Sequence, residues 1–214
     1  SLDVALSGTE YILAGDRSVF SLCRPPGHHA SYDQFGGYCF INNAAVAAQH
    51  LRDRGLGKVA VLDVDFHHGN GTQAIFYDRS DVLFLSLHGD PMHAFPHFLG
   101  HADEIGNGEG EGFNFNYPMP AGTSFAEWNN SLGSALDQIE RFGADAVIIS
   151  LGVDTFERDP ISFFKLTSSD FIKMGASIAS LNLPTLFVME GGYAVEEIGI
   201  NTVNVLMGFK EKET

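Results

Sequence analysis

Residues 61–72 read VLDVDFHHGNGT, and this stretch determines the fold and the chemistry that we predict. The apolar residues at 59–62 indicate a buried strand. Asp63, Asp65 and His67 then alternate with apolar residues, and side chains two apart in a strand share a face. Two carboxylates and an imidazole are costly to bury unless they bind something. The stretch therefore predicts a divalent metal site, with a strand end carrying solvated acids as the simpler alternative.

Composition and charge limit the class of protein and the kind of partner. The chain has 214 residues, of which 44% are hydrophobic, so residues 1–214 can form one domain with a sizeable core. The net charge of −15 is distributed along the chain, which favours cationic ligands and argues against nucleic acid and anionic membranes. Cys23 and Cys39 lie in apolar stretches, which fits a reducing cytoplasm rather than a disulfide scaffold. No apolar run reaches the length that spans a bilayer.

Strands and helices alternate along the chain, without the turn signature of a β-hairpin. This alternation predicts an α/β fold of three layers, with a mostly parallel sheet between two layers of helices. Residues 1–17 show only weak periodicity. Residues 88–122 form a long irregular segment, and a loop of this length is usually functional. Ser124 and Glu127 form a capping box, which predicts the start of a long helix. Strands are predicted at 19–23, 59–62, 82–87, 146–151 and 186–189, and helices at 42–54, 72–77, 124–142, 167–181 and 196–207.

Polar side chains gather where four of these strands end, and parallel strands bring such ends to one edge of a sheet. His28 and His29 follow a stiff Pro-Pro-Gly loop, Asp154 follows a buried strand, and Tyr193 follows two glycines. Together with Asp65 and His67, Asp154 supplies a third metal ligand. Three protein ligands leave a place for water and substrate on the metal. The histidine pair can act as general base and acid, and the Tyr193 phenol can stabilise an oxyanion. Together these groups predict hydrolysis of an amide.

Several motifs follow one another along the chain. They are RPPGHH at 24–29, GYCFINN at 37–43, DVDFHHGNGT at 63–72, GVD at 152–154 with Asp159-Pro160, and EGGY at 190–193. In this order they resemble the superfamily of histone deacetylases and acetylpolyamine amidohydrolases, and the resemblance runs from about Val19 to the C-terminus. Further segments are most similar to the bacterial acetylpolyamine amidohydrolase branch, namely HGDP at 88–91, FPHFLG at 95–100 and NYP at 116–118.

The resemblance implies a zinc-dependent deacetylase with the arginase/deacetylase fold. It implies one zinc ion per chain, held by Asp65, His67 and Asp154, and a small cationic acetylated amine or acetyl-lysine as substrate. His29 would be the general base and then the acid, with His28 as its electrostatic partner. The resemblance also implies that Asp63 orients His28, that Asn70 bonds to His29, and that Tyr193 bonds to the carbonyl oxygen of the substrate. It implies that the walls of the substrate channel are formed by Gly37, Tyr38 and Phe95. It further implies a structural potassium or sodium ion at Asp63 and Ser86.

The chain departs from the family before the RPPGHH motif. Only 23 residues precede that motif, whereas family members have more sequence there. The resemblance therefore implies that the N-terminal part of the family domain is absent. Such a sheet would expose an apolar edge, and exposed apolar surface usually marks an interface, so we expect a homodimer.

Two other functions stay open at this stage. An arginase-like ureohydrolase would need a second metal ion, but Gly69, two residues after His67, offers no ligand. A non-catalytic module that keeps zinc and binds acetylated or cationic ligands is the other alternative. Tyr193 argues against this module, whereas the absent N-terminal third of the family domain argues for it. The histidines at 93, 97 and 101 lie in a loop without a fixed face, so we assign them no metal.

Overall fold

A computed structural model describes residues 1–213, and in this part of the chain six parallel strands form one sheet between two layers of helices. The prediction of a three-layer α/β fold is therefore confirmed, and the sheet is parallel throughout. The strands are β1 (Ser18–Ser21), β2 (Val59–Asp63), β3 (Val82–Gly89), β4 (Asn114–Met119), β5 (Ala146–Leu151) and β6 (Thr185–Met189). The helices are α1 (Leu2–Leu13), α2 (Asn43–Asp53), α3 (Asn70–Phe76), α4 (Phe125–Phe142), α5 (Ser168–Ala179) and α6 (Ile198–Glu213).

Two apolar clusters hold the layers together, one on each face of the sheet. Helices α4, α5 and α6 contribute Trp128, Phe171 and Phe209 to the first cluster. Helices α1, α2 and α3 contribute to the second, in which Leu51 of α2 is buried. The central strands are buried on both faces, which explains their continuous apolar sequence. None of the helices in the described residues is both long and apolar enough to cross a membrane.

The order of the strands places the candidate site. The order is β1-β6-β5-β2-β3-β4, so the chain proceeds outward from β2 through β3 to β4 and then returns to β5 on the other side of β2. Such a reversal leaves a crevice at the carboxyl ends of the strands, where ligands bind in open α/β sheets. The last residue of β2, Asp63, is in register with Ser86 of β3 and with Ser150 of β5. The polar strand ends predicted from sequence therefore meet at this reversal.

One helix and one strand lie in segments for which the sequence predicted no regular structure. Helix α1 buries Ala5, Gly8 and Thr9, which are too small or too polar to give an apolar periodicity. Gly8 packs so closely on the sheet that an added Cβ would lie 2.4 Å from Ser21 Oγ. Strand β4 lies inside the predicted loop 88–122, where buried asparagines replace the usual apolar residues.

A third difference concerns the end of β2. The strand ends at Asp63, so Asp65 and His67 do not share a strand face as the alternation suggested. They lie instead in the connection between β2 and α3, and hydrogen bonds rather than strand geometry bring them together. The sequence therefore correctly predicted that Asp65 and His67 lie together, but the reason it gave, a shared strand face, is wrong.

Candidate metal and acid–base site

Backbone N–H groups fold the connection after β2 around its own carboxylates. The N–H of Asp65 donates to Asp63 Oδ1 at 3.1 Å, and the N–H of His67 donates to Asp65 Oδ1 at 2.8 Å. The N–H of Phe66 donates to Asp154 Oδ1 at 2.7 Å, which joins this connection to the segment after β5. The sheet edge thereby holds the carboxylates of two strand ends in fixed positions.

Asp65, His67 and Asp154 converge as a group that can hold a metal ion. One ligand atom from each lies within 4.8 Å of the others, and all three residues are buried. His67 Nδ1 lies 2.9 Å from Asp154 Oδ2 and 3.2 Å from Asp65 Oδ1. Two carboxylates and one imidazole are hard-to-borderline donors that suit zinc and similar divalent ions.

The backbone beneath this group leaves no room for side chains. An added Cβ at Gly152 would lie 2.1 Å from Asp65 Oδ2. A Cβ at Gly191 would lie 2.6 Å from the same oxygen and 2.8 Å from Asp154 Oδ2. The N–H of Gly191 also donates to Asp65 Oδ2 at 2.8 Å. These glycines form a cradle for the two carboxylates, and the donor set fits a divalent cation.

The protonation of this group shows what a cation would neutralise. Burial and the neighbouring charge of Asp65 raise the pKa of Asp154 above its ordinary value. Burial alone would lower the pKa of His67, but hydrogen bonds with Asp154 and Asp65 raise it to about 10. In the metal-free chain a charged His67 imidazole therefore lies against the two carboxylates whose charge a metal ion would neutralise.

His28 and His29 lie side by side with opposite electrostatic surroundings. Their ring centroids are 4.0 Å apart. His28 Nδ1 lies 2.9 Å from Asp63 Oδ2, and His29 Nδ1 lies 2.7 Å from Asn70 Oδ1. Burial opposes charge on His28, but the carboxylates of Asp63 and then Asp65 hold its pKa well above the ordinary value. Burial and then the charge of His28 hold the pKa of His29 well below it, so His29 stays neutral.

Tyr193 reaches the same site from the turn after β6. Its backbone N–H donates to Asp159 Oδ2 at 2.7 Å, and that carboxylate also accepts from the N–H of Ala194 at 3.2 Å. Burial, and then the charges of Asp65 and Asp154, raise the pKa of the Tyr193 phenol, so it stays protonated and able to donate a hydrogen bond. From the sequence, Asp159 was recognised only as part of a motif. In the structure its carboxylate fixes the turn that carries Tyr193.

A cavity of about 580 Å³ opens onto these groups. The predicted channel residues Gly37, Tyr38 and Phe95 line it, as do His29, His67 and Tyr193. Gly37 has a φ of +53°, and an added Cβ there would lie 2.2 Å from His29 Cδ2. The remaining wall residues were not predicted from sequence, since nothing in their local pattern indicates that they line a cavity. They are Phe66, His93, Ala94, Ile161 and Phe163.

Ser86 was predicted to hold a structural monovalent ion together with Asp63. The structure places these residues in register on β2 and β3, and both are buried. Ser86 Oγ lies 2.8 Å from Nδ1 of His88. The ion itself stays a prediction.

A second group of potential ligands, His28, Cys39 and Glu190, lies nearby among the described residues. The Glu190 carboxylate already accepts from the N–H groups of Gly27 and His28. Burial raises the pKa of Cys39 to about 12, so its thiol is not a thiolate ligand. We interpret this group as structural support for the histidine pair. At Gly69, where a ureohydrolase would need a ligand, an added Cβ would lie 2.2 Å from Asp63 Oδ2.

Comparison with known proteins gives a consistent result. The family described as "Histone deacetylase domain" matches residues 1–208. The chain is 65% identical over 210 residues to acetylpolyamine amidohydrolase 2 of Pseudomonas aeruginosa, covering 98% of this chain and 61% of that protein. It is 63% identical over 208 residues to the acetylpolyamine amidohydrolase of Mycoplana ramosa, covering 97% of this chain and 61% of that protein.

The fold comparison agrees with the sequence comparison. The crystal structure of an acetylpolyamine aminohydrolase from Burkholderia pseudomallei matches with a TM-score of 0.96 at 45% identity. That match covers 99% of this chain and 61% of the other. The chain thus spans about 61% of the length of the relatives that it matches.

Proposed function

Because the chain belongs to the histone deacetylase domain family, we propose that it hydrolyses the acetyl amide of acetylated amines. The observation that carries this proposal is the convergence of Asp65, His67 and Asp154 with His29 and Tyr193 at one cavity. The names of the relatives and the net charge of −15 favour a cationic acetylpolyamine as substrate, with acetyl-lysine as the other amine of this type. We also propose that residues 1–214 form a single deacetylase-like domain.

We propose one zinc ion per chain, held by Asp65, His67 and Asp154. A divalent metal, when bound, supplies Lewis-acid polarisation of a carbonyl and lowers the pKa of water. A potassium or sodium ion at Asp63 and Ser86, a homodimer and a cytoplasmic location stay predictions.

The side chains around the metal site supply proton transfer, stabilisation of the oxyanion and contacts with the substrate. Asn70 Oδ1 accepts the hydrogen bond from His29 Nδ1, so Nε2 of neutral His29 takes a proton from water and returns it to the leaving amine. His28 keeps its charge beside Asp63 and keeps its neighbour neutral. The protonated Tyr193 phenol donates to the oxygen on which negative charge develops. Tyr38 and Phe95 flank the aliphatic part of the substrate.

Turnover of matched substrates tests the proposal. Free amine would be measured from an acetylated diamine, an acetyl-lysine peptide and a neutral acetyl amide, using the zinc-loaded chain. We expect the acetylated diamine to give the highest kcat/KM, and its advantage over the neutral amide to shrink as salt is raised. No turnover of any of the three by a zinc-loaded chain would favour the non-catalytic binding module.

Tyr193→Phe is expected to lower kcat by about 10²–10³-fold, the usual cost of one lost oxyanion donor. The ring packing and the backbone bond to Asp159 do not involve the hydroxyl, so fold and metal content should match the parent. Tyr117→Phe is the matched control, because it removes a half-buried phenol from β4. A Tyr193→Phe variant as fast as the parent would exclude the phenol from the mechanism.

Metal affinity is expected to increase as the pH rises from 6 to 8. In the metal-free chain the pKa of His67 is about 10, so a proton must leave this imidazole when the metal binds. Release of one proton corresponds to about a tenfold gain in affinity per pH unit. Competition with a chelator at pH 6, 7 and 8, corrected for the chelator's own titration, measures the slope. An affinity independent of pH would contradict the ligand set.

A further inference from the structure

The segment that carries Phe95 is fastened at both of its ends. We call residues 91–99 the aromatic loop. Before it, the N–H of Asp90 donates to the carbonyl of Met119 at 2.8 Å. After it, the peptide groups of Gly100 are held on both sides, because the N–H donates to Glu104 Oε2 at 2.9 Å and the carbonyl accepts from His88 Nε2 at 2.9 Å. Between these ends, the Phe95 ring meets His29 edge-on, with centroids 4.9 Å apart.

Gly100 fits its place only because it has no side chain. Its φ is +100°, and an added Cβ would lie 2.7 Å from His88 Nε2 and 2.8 Å from His68 Cγ. His68 and His88 are both buried, so neither ring can move aside without disturbing the sheet edge. The aromatic loop therefore takes its position from a point that packs directly on two buried imidazoles.

Gln73 of α3 holds Glu104 in turn. Its side-chain N–H donates to Glu104 Oε2 at 2.6 Å. Its side-chain oxygen lies 3.0 Å from His68 Nε2 and accepts from the amides of Asn114 at 3.0 Å and Asn116 at 2.8 Å. One amide thus connects Glu104 to β4 and to His68, the neighbour of the proposed metal ligand His67.

We propose that Gln73 and Glu104 are positioning residues, whose hydrogen bond fixes Gly100 and thereby the aromatic loop against His29. The effect on catalysis rests on the proposed function, since Phe95 shapes the cavity that the substrate enters. The effect on the loop itself does not depend on turnover. Because neither residue lines the cavity, their substitution should raise KM more than it lowers kcat.

The direction of the hydrogen bond allows a charge swap. Gln73→Glu puts a second carboxylate against Glu104 and removes the donor, so the two side chains repel each other. Glu104→Gln leaves an amide oxygen that still accepts from Gly100 and from Gln73. In the double variant Q73E/E104Q, the carboxylate at 73 accepts from the same groups of His68, Asn114 and Asn116. In the parent, Glu104 Oε2 accepts from both Gln73 and Gly100. The amide at 104 can donate to the carboxylate at 73 through Nε2, but its oxygen must then turn to meet the Gly100 N–H, so the swap removes the repulsion and restores only part of the original geometry.

The experiment compares the parent with Q73E, E104Q and Q73E/E104Q. Amide hydrogen exchange in peptides covering 91–104 reports the aromatic loop, and steady-state kinetics with an acetylated diamine report the cavity. We expect Q73E to speed the exchange and to lower kcat/KM by up to about 100-fold, which is the order of loss for a misplacement of about 1 Å near the substrate, with most of the loss in KM. E104Q should behave like the parent, because its amide oxygen can still accept both hydrogen bonds, and the double variant should recover part of the loss seen in Q73E, because it no longer sets two carboxylates against each other. Glu109→Gln, which neutralises an exposed acid on the same connection, controls for charge alone.

The outcomes are distinct. Parent-like exchange and KM in Q73E, or a double variant no better than Q73E, would overturn the proposal. If Q73E does not fold, Glu104→Ala decides, because it removes the acceptor of the Gly100 N–H and must speed exchange in 91–104. If even the parent gives no turnover, the proposed function fails, and the exchange measurements alone judge the positioning of the loop.

Discussion

Asp154→Ala is expected to leave a folded chain that no longer holds stoichiometric metal. The substitution removes one of three ligands and the acceptor of the Phe66 N–H. Loss of a group that merely supports a metal ligand typically costs about 10–100-fold in affinity, so loss of a ligand should cost more than about 100-fold. Hydrolysis of acetylated amines should fall with the metal content.

The fold should tolerate this change because it removes a buried acid that lies close to a second one, Asp65. Burial and then the charge of Asp65 raise the pKa of Asp154, so its carboxylate is costly there, although the hydrogen bond with His67 offsets part of that cost. The variant should therefore unfold at a temperature near that of the metal-free parent, and added zinc should stabilise only the parent. Elemental analysis after dialysis gives the metal content, with Asp103→Ala as a control that removes an exposed acid. Stoichiometric zinc in Asp154→Ala would remove Asp154 from the ligand set.

His29→Ala is expected to retain metal and lose about 10²–10⁴-fold in kcat, the usual contribution of a positioned acid–base group. His29 is not one of the three proposed ligands, and its Nδ1 contacts Asn70 rather than a carboxylate of the group. Its low pKa keeps the ring neutral at pH 7, which is the form that takes a proton. The loss should therefore appear in turnover and not in zinc content.

His50→Ala provides the control for His29→Ala. His50 lies on α2 and contacts Glu10, away from the residues that line the cavity. Both variants should bind zinc like the parent, and only His29→Ala should be slow. Equal rates in the two variants would contradict the role of His29 as base, whereas loss of zinc from His29→Ala would indicate that it belongs to the ligand set.

Much of the fold could be predicted because the central strands are marked by their own residues. Buried parallel strands are apolar throughout, so 59–62 and 146–151 stand out, and polar residues directly after them identify the carboxyl edge. Helix α1 and strand β4 could not be predicted in the same way. Gly8 is buried against Ser21 and Leu186, and Asn116 is buried against Gln73, so both are stabilised by partners distant in sequence.

In the candidate site, too, residues that depend on partners distant in sequence could not be predicted. Asp65, His67 and Asp154 were predicted together because each follows a strand, although the strand argument for the first two was wrong in detail. His93, Ile161 and Phe163 were missed as cavity walls, since they come from two connections that only the folded chain brings together. Nothing in the sequence around Gln73 indicates that its amide connects four other side chains.

The most direct test of the central claim follows an oxygen atom. The zinc-loaded chain would be given an acetylated diamine in water enriched in ¹⁸O, and the acetate and free amine would be quantified by mass spectrometry. We predict equal amounts of amine and acetate, with one ¹⁸O atom in each acetate and a rate far above that of Asp154→Ala. Release of amine without labelled acetate, or equal rates for the two chains, would contradict hydrolysis at this site.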